Sequence, residues 1–217
     1  MYKLIFIVAL AFGSMSIYSS ANKLTVGDFS KKNLSGWDEK SFSGETKYQL
    51  LDWELNHDQS GYLQADADAA ASALLKKIQV DLNQTPYLNW SWRIEKAIDA
   101  VDEQTKKGDD YAARVYVIVK RGLTPWKVNA LNYVWSSHVQ PPEYWPNAYT
   151  NKAIMVPLRN QNDNSEWKSE KVNVKQDFKK YFGIDVDRID AVAIMTDTDN
   201  SQLHAIASYG DIFFTAN

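Results

Sequence analysis

The chain contains no cysteine among its 217 residues, which excludes disulfide bonds, thiol nucleophiles, iron–sulfur clusters and cysteine-ligated zinc. It has only three histidines, His57, His138 and His204, and their wide spacing gives no zinc-binding pair. The sequence also lacks a Gly-rich phosphate loop, a dinucleotide fingerprint and a Gly-x-Ser-x-Gly nucleophile motif. No catalytic residue is therefore identified by a motif.

Basic charge is scarce as well. The 24 Lys and Arg residues are outnumbered by 27 Asp and Glu residues, which gives a net charge of −3 and a pI of about 5.6. Nucleic acids and anionic membrane surfaces bind through a basic field. We therefore expect neither as a partner.

The N-terminus has the pattern of a cleaved signal peptide. A basic Met1–Lys3 start is followed by the apolar run Leu4–Phe12 and by the small residues Ser19–Ala21. The run is shorter than the roughly 20 residues that span a bilayer, and no second apolar span follows. We predict a signal peptide over residues 1–21, a single domain over residues 22–217, and export as a monomer to the periplasm of a Gram-negative bacterium.

Apolar and polar residues alternate along most of the chain, which is typical of β-strands. In Tyr87–Glu95, Leu88, Trp90, Trp92 and Ile94 share one face. Tyr111–Lys120 repeats the pattern, with Val115, Val117 and Val119 opposite Arg114, Tyr116 and Ile118. We predict further strands at Tyr48–Trp53, Gly61–Asp66, Leu74–Asp81, Tyr111–Lys120, Ala130–Ser136, Ala153–Leu158, Trp167–Val174, Ala191–Thr196 and Ala205–Phe214. The prediction is an all-β fold, an antiparallel β-sandwich or jelly roll with one or two short helices.

Two segments are ambiguous. Ala65–Lys77 is rich in Ala and Leu, which favours a helix, but Asp66, Asp68 and Ser72 also permit a turn between two strands, which we prefer. In Lys175–Phe182 the aromatic spacing is helical and Gly183 can end a helix. We predict one short helix there.

Four segments together carry a family resemblance: Pro86–Ile94, Gly108–Val117, Ala130–Ser137 and Ala191–Phe214. In this order and spacing the chain resembles the bacterial domain-of-unknown-function family 3047, DUF3047, over nearly the whole mature chain. Because that family is uncharacterised, the resemblance implies no reaction.

A more distant similarity is to galactose-binding-like jelly rolls, the architecture of many carbohydrate-binding modules. It rests on Asp28-Phe29 followed by Gly36-Trp37, on the strand ending at Ile78, and on the closing Gly210–Phe213. In similar jelly rolls the terminal strands pair and a structural calcium sits there. The resemblance thus implies Asp28 and Asp211 as calcium ligands.

The acidic residues have two readings. Asp197-Thr-Asp-Asn200 is either a hairpin turn or a segment that contacts a metal or ligand through Asp197 and Asp199. It is not an EF-hand, because Gln202 and Ser208 occupy the positions where that loop requires Gly and Glu. The adjacent carboxylates Asp109 and Asp110, together with Arg114, belong either to an ionic network or to a binding groove. If their strands are neighbours, Glu95 pairs with Arg114.

The aromatic residues, eight Trp, twelve Tyr and eight Phe, also permit two roles. Tyr133 and Trp135 alternate on one strand face, and Trp145 follows in a Pro-rich loop. Such rings either pack in the core or stack on a sugar.

We hypothesise a non-catalytic protein that binds a carbohydrate or another envelope ligand. The predicted ligand-binding residues are Arg114, Tyr133, Trp135, Trp145, Asp110, Asp197 and Asp199. One alternative is a carbohydrate-active hydrolase or lyase, which needs only a pair of Asp or Glu residues drawn from Glu95, Asp110, Asp197 and Asp199. A second is a structural protein of the cell envelope.

Overall fold

The computed structural model describes residues 23–53, 61–99, 101–122, 127–137, 139, 143–163 and 166–217. The predicted signal peptide, and both His57 and His138, lie outside these residues. Export therefore stays a prediction. No helix in the described part of the chain has the length and apolar character needed to cross a membrane.

The described residues form fourteen strands, one α-helix and two short 3-10 turns. The strands are β1 (Leu24–Gly27), β2 (Trp37–Ser43), β3 (Lys47–Asp52), β4 (Gly61–Asp68), β5 (Ala71–Asp81), β6 (Tyr87–Lys96), β7 (Tyr111–Lys120), β8 (Val128–Ser136), β9 (Trp145–Asn147), β10 (Thr150–Asn160), β11 (Lys168–Asn173), β12 (Arg188–Asp197), β13 (His204–Tyr209) and β14 (Ile212–Thr215). The helix α1 spans Val174–Phe182, and the 3-10 turns span Phe29–Lys31 and Gln161–Asp163.

These strands build two seven-stranded sheets that face each other. The first sheet has the order β1-β14-β6-β13-β4-β3, with β11 on the other edge of β6, and the second has the order β2-β5-β12-β7-β8-β10-β9. The predicted all-β sandwich is confirmed, and β1 pairs with β14 as the jelly-roll resemblance implied. One pair departs from the antiparallel expectation, because β8 and β10 run parallel.

The core lies between the sheets and is rich in aromatic rings. Trp92 of the first sheet packs against Trp135 of the second with ring centroids 5.6 Å apart, and Trp90 packs against Tyr133 at 5.5 Å. Leu88, like these rings, is fully buried. Alternation on β6 thus directs every second side chain into the core, as the sequence predicted.

The two ambiguous segments adopt the predicted structures. Ala65–Lys77 forms the ends of β4 and β5, joined by a tight turn in which Ala69 has a positive φ of 47°. The two strands belong to different sheets, so this turn carries the chain across the sandwich. Helix α1 ends at Gly183, whose φ of 69° is left-handed, and it begins where the Asn173 side chain accepts a hydrogen bond from the Gln176 N–H.

Several features differ from the predictions, and strands β1, β2 and β9 lie outside the predicted strand ranges. Strand β2 was missed because most of its residues are polar and exposed at a sheet edge, which leaves no alternating pattern. Ala205–Phe214 is two strands, broken at Gly210. The Asp197–Asn200 segment does not close a hairpin, because β12 and β13 belong to different sheets.

Candidate functional site

A groove of about 440 Å³ lies on the outer face of the second sheet, the face that points away from the core. It exists because β7 alternates: Val115 and Val117 are fully buried in the core, while Arg114 and Tyr116 point to the outer face. The other lining residues are Phe42, Ala71, Asp109, Asn132, Asn147, Tyr149, Ala153, Met195, Asp197, Asp199 and Asn200.

The floor of the groove is apolar and small. Ala71, Ala73 and Met195 form a cluster separate from the main core, and Tyr116 packs against it. Two aromatic rings stand beside this floor with most of their surface exposed, Phe42 at 60% and Tyr149 at 56%. An apolar floor with exposed rings is suited to the apolar faces of a ring-shaped ligand.

A buried ion pair between Arg114 and Asp197 lies at one end of the floor. Their side chains are only 5% and 2% exposed. Asp197 also accepts a hydrogen bond from the Tyr111 N–H, and the Arg114 guanidinium lies 4.7 Å from the centre of the Tyr111 ring. The pair is therefore held by the walls of the groove, and it leaves little net charge at this point.

Three carboxylates gather beside this pair. Asp110, Asp197 and Asp199 each offer an oxygen within 4.8 Å of the other two. Asp110 accepts hydrogen bonds from the Asn200 N–H, the Asn200 side chain and the Ser201 N–H. Asp110 is thus the acceptor that holds the turn after β12 at the mouth of the groove, while Asp199 faces the open space.

Two carboxylates that line the groove, Asp109 and Asp199, have raised pKa values. Burial raises the pKa of Asp109, and the neighbouring Asp110 raises it further against the lowering effect of Arg114 and Asn147. Burial likewise raises the pKa of Asp199, with Asp110 as the second cause. Both groups therefore carry negative charge in an environment that resists it.

Two buried polar atoms among the described residues of the groove have no hydrogen-bond partner. They are the Asn132 side-chain oxygen and the Arg114 Nε, on residues that are 1% and 4% exposed. Buried polar atoms are nearly always paired, so each such atom requires an explanation. A ligand in the groove offers one, since Asn132 and Arg114 both line it.

The structure brings four of the predicted ligand-binding residues together: Arg114, Asp110, Asp197 and Asp199. The other three are placed differently. Tyr133 is fully buried and donates to Asp177, Trp135 is 2% exposed and donates to the Asn160 carbonyl, and Trp145 is 4% exposed. Their ligand-binding roles stay predictions, but none of these rings is open to a ligand here.

The predicted ligand-binding residues did not include several that line the groove, among them Phe42, Tyr116, Asn132 and Tyr149. Tyr116 and Asn132 share the outer face with Arg114, which the alternation of β7 and β8 already indicated. Phe42 carries no such signal, because most of its neighbours in β2 are polar and β2 shows no alternation. The rings of Phe42 and Tyr149 come to the groove only through the packing of β2 and of the segment between β9 and β10.

Two other expectations concern a Glu95–Arg114 pair and a calcium site at Asp28 and Asp211. Glu95 does not pair with Arg114, because β6 and β7 lie in different sheets; it contacts Arg93 instead. Asp211 accepts from the N–H and hydroxyl of Ser30, and Asp28 pairs with Lys31. A calcium at Asp28 and Asp211 stays a prediction, and protein donors already use both side chains.

Comparisons with known proteins agree with the fold. Residues 35–213 match the model of a family described as a protein of unknown function, DUF3047. No curated protein sequence matches the chain.

Among solved structures, the family 30 carbohydrate-binding module of a cellulosomal cellulase from Clostridium thermocellum is similar, with a TM-score of 0.50 and 12% identity over 84% of this chain and 92% of that one. TmCBM61, solved with β-1,4-galactotriose, has a TM-score of 0.43 and 11% identity over 88% of this chain and 95% of that one. For the family 30 module, an identity of 12% shows a shared β-sandwich fold alone.

Proposed function

The chain belongs to the DUF3047 family, and we propose that it is an exported, monomeric, non-catalytic protein that binds a carbohydrate in the groove on the outer face of its second sheet. One observation carries the proposal. The groove combines an apolar floor, two exposed aromatic rings and buried polar atoms in need of a partner. Sugars present apolar ring faces and polar edges, which such a surface matches.

The length of the outer face supports an extended ligand. A second hollow, of about 330 Å³, is lined by Leu75, Lys77, Ile118, Lys120 and Ala191, among others. Ile118 and Lys120 follow Arg114 and Tyr116 at two-residue steps on β7. From Arg114 to Lys120 this path is roughly 20 Å long, at about 3.3 Å per residue. An oligosaccharide lying along β7 would use both hollows.

The fold is consistent with this ligand class. The family 30 module is a carbohydrate-binding module by name, and this chain shares its sandwich. Because fold does not decide function, the likeness supports the proposal only together with the groove.

The test is isothermal titration of residues 22–217 with a panel of soluble glycans, neutral, acidic and amino. We expect at least one glycan class to bind. Phe42→Ala and Tyr149→Ala should each weaken that binding about tenfold, or roughly 1.4 kcal/mol, by removing a stacking face. Tyr144→Ala is the matched control, because Tyr144 is 52% exposed but does not line the groove.

The titration has three possible outcomes, and each one supports or overturns the proposal. Binding that Tyr144→Ala leaves intact and the groove variants weaken supports the proposal. A panel with no binder overturns it and favours the structural role in the envelope. Binding that is unchanged in Phe42→Ala and Tyr149→Ala would place the ligand elsewhere on the protein and overturn the proposed site.

The enzyme alternative has one observation in its favour. Asp109 and Asp199 line an open groove, and both have a raised pKa, which suits a general acid. Against it, Asp197 is paired with Arg114 and Asp110 is engaged by three N–H donors. We expect no new reducing ends when the bound glycan is incubated with the protein. Their release, abolished by Asp199→Asn, would establish a hydrolase instead.

A further inference from the structure

We propose that the groove selects an amino sugar: a glycan whose free, protonated amine lies against Asp109 and Asp199, beneath the Tyr149 ring. This inference rests on the proposed carbohydrate function and specifies its ligand class. Three features of the groove support it: its negative charge, the acceptors that remain open and the buried Asn132 oxygen.

The charged side chains that line the groove favour a cation. Among the described lining residues, three carboxylates, Asp109, Asp197 and Asp199, meet a single cationic group, Arg114. Arg114 is neutralised by its buried pair with Asp197. The charges of Asp109 and Asp199 thus remain, and a uronic acid or sulfated sugar would meet repulsion there.

Both remaining carboxylates have acceptor capacity left. The Asn147 side-chain nitrogen contacts the two Asp109 oxygens at 2.9 and 2.8 Å, and the Tyr111 side chain also hydrogen-bonds to Asp109. Asp199 Oδ1 accepts from the Asn200 side chain at 3.2 Å, and Ser43 also donates to Asp199. A carboxylate has about four lone-pair sites. An ammonium group brings three donors and so uses the free ones.

The Tyr149 hydroxyl interacts electrostatically with both carboxylates. It lies 2.8 Å from the Asn200 side-chain oxygen, and its pKa is raised first by burial and then by the negative charges of Asp109, Asp199 and Asp110. The exposed ring above them offers a negative face to a cation. Lys106, 5.3 Å from the ring centre, is the nearby competing positive charge.

The independent observation is Asn132. This residue is 1% exposed, lines the groove, and its side-chain oxygen has no partner among the described residues. Like the open carboxylate oxygens, this oxygen is a hydrogen-bond acceptor, and a ligand in the groove can supply the donor. Hydroxyl and amino groups of a sugar are such donors.

The binding has a defined pH dependence. The groups that face the site are Asp109, Asp110, Asp197, Asp199, Arg114, Tyr111, Tyr116, Tyr149 and Lys106. Protonation of Asp109 and Asp199 at acid pH removes the negative charge, and deprotonation of the amine above about pH 8 removes the positive one. Affinity is therefore greatest between these limits.

The experiment compares three tetrasaccharides of the same β-1,4-linked backbone by isothermal titration at about pH 6, where the amines are protonated. They are glucosamine tetramer, N-acetylglucosamine tetramer and cellotetraose, which carry an ammonium, an amide and a hydroxyl at the same carbon. We expect glucosamine tetramer to bind at least about tenfold more tightly than both others. Asp109→Asn and Asp199→Asn should each reduce that preference several-fold.

Asp185→Asn is the control for net charge, because Asp185 is 74% exposed and does not line the groove; it should keep the preference. Equal or tighter binding of cellotetraose or the acetylated tetramer overturns the amino-sugar inference and leaves carbohydrate binding intact. Failure of all glycans in the wider panel overturns both. A preference retained in both groove variants also overturns the inference, because the charge would then act from elsewhere.

Discussion

At the scale of single residues, the Arg114–Asp197 pair decides the character of the groove floor. Both side chains are almost fully buried. The attraction between the two charges offsets the free-energy cost of removing them from water only while both partners are present. The sequence pointed to Arg114 and Asp197 separately, as one residue on a polar strand face and one in an acidic turn. It did not pair them, because they are 83 positions apart in the chain.

The first prediction concerns this pair. Asp197→Asn leaves the Arg114 charge buried and unpaired, so it should lower the free energy of unfolding by about 3–5 kcal/mol. The double variant Arg114→Met, Asp197→Leu should recover most of that loss, because it removes both charges. Equilibrium denaturation in urea measures the three proteins.

Lys179→Met is the control, since its ion pair with Asp185 is exposed and should change the stability by less than about 1 kcal/mol. A double variant no more stable than Asp197→Asn would show that the hydrogen-bond geometry of the pair, rather than its charge, stabilises the fold.

The second prediction concerns Asp199. Its raised pKa, caused first by burial and then by Asp110, means that the folded protein binds this proton more tightly than the unfolded chain. The contribution to stability is full below the ordinary Asp pKa of about 3.9 and is lost as the pH rises through the raised value. The Asp199→Asn variant has no ionisable group at this position, so its stability does not fall in this way.

The melting temperature of Asp199→Asn relative to the wild type should therefore rise as the pH increases through that window. Thermal melts of both proteins from about pH 3 to pH 7 measure the difference. Two curves that stay parallel over the whole range would contradict the assignment of a raised pKa to Asp199.

At the scale of elements, alternation explains how one strand serves both the core and the groove. Strands β6 and β7 follow their predicted patterns because each buries one face between the sheets. Strand β2 escaped prediction because it is an exposed edge. The break at Gly210 was also missed; its backbone lies so close to Ser91 that an added Cβ would be 2.2 Å from the Ser91 hydroxyl oxygen.

The loop before β7 positions Asp109 and Asp110, and its shape depends on Gly108. A Cβ at Gly108 would lie 2.3 Å from the Asp102 carbonyl oxygen, a backbone atom that cannot move alone. Glu103, fully buried, accepts from Ser136 and holds the same loop against β8. The loop is therefore closed tightly beneath the two carboxylates.

The third prediction follows from this closure. Gly108→Ala should lower the free energy of unfolding by about 1–3 kcal/mol through overpacking, and it should weaken glycan binding by displacing Asp109. Urea denaturation and titration measure the two effects. Gln104→Ala, at an exposed position of the same loop, should leave both unchanged; an equal effect there would mean that the loop as a whole is sensitive rather than Gly108.

At the scale of the whole molecule, two sheets enclose one aromatic core without any disulfide bond. The contact of Trp92 with Trp135 and that of Trp90 with Tyr133 join the sheets. The sequence left open whether the aromatic residues pack in the core or face a ligand, and their positions in the structure distinguish the two groups. The aromatic residues of β6 and β8 stabilise the sandwich, whereas the rings exposed beside the groove are Phe42 and Tyr149.

The sequence by itself determined the fold class, most strands, helix α1 and the inner and outer faces of β6 and β7. These follow from local patterns, because strand alternation and helix capping depend on neighbouring residues. Only the tertiary structure decided that Asp110, Arg114, Asp197 and Asp199 meet in one groove, and that Glu95 does not join them. The reason is strand order: β12 lies beside β7, while β6 lies in the opposite sheet, and pairing between distant segments depends on the packing of the whole chain rather than on local sequence.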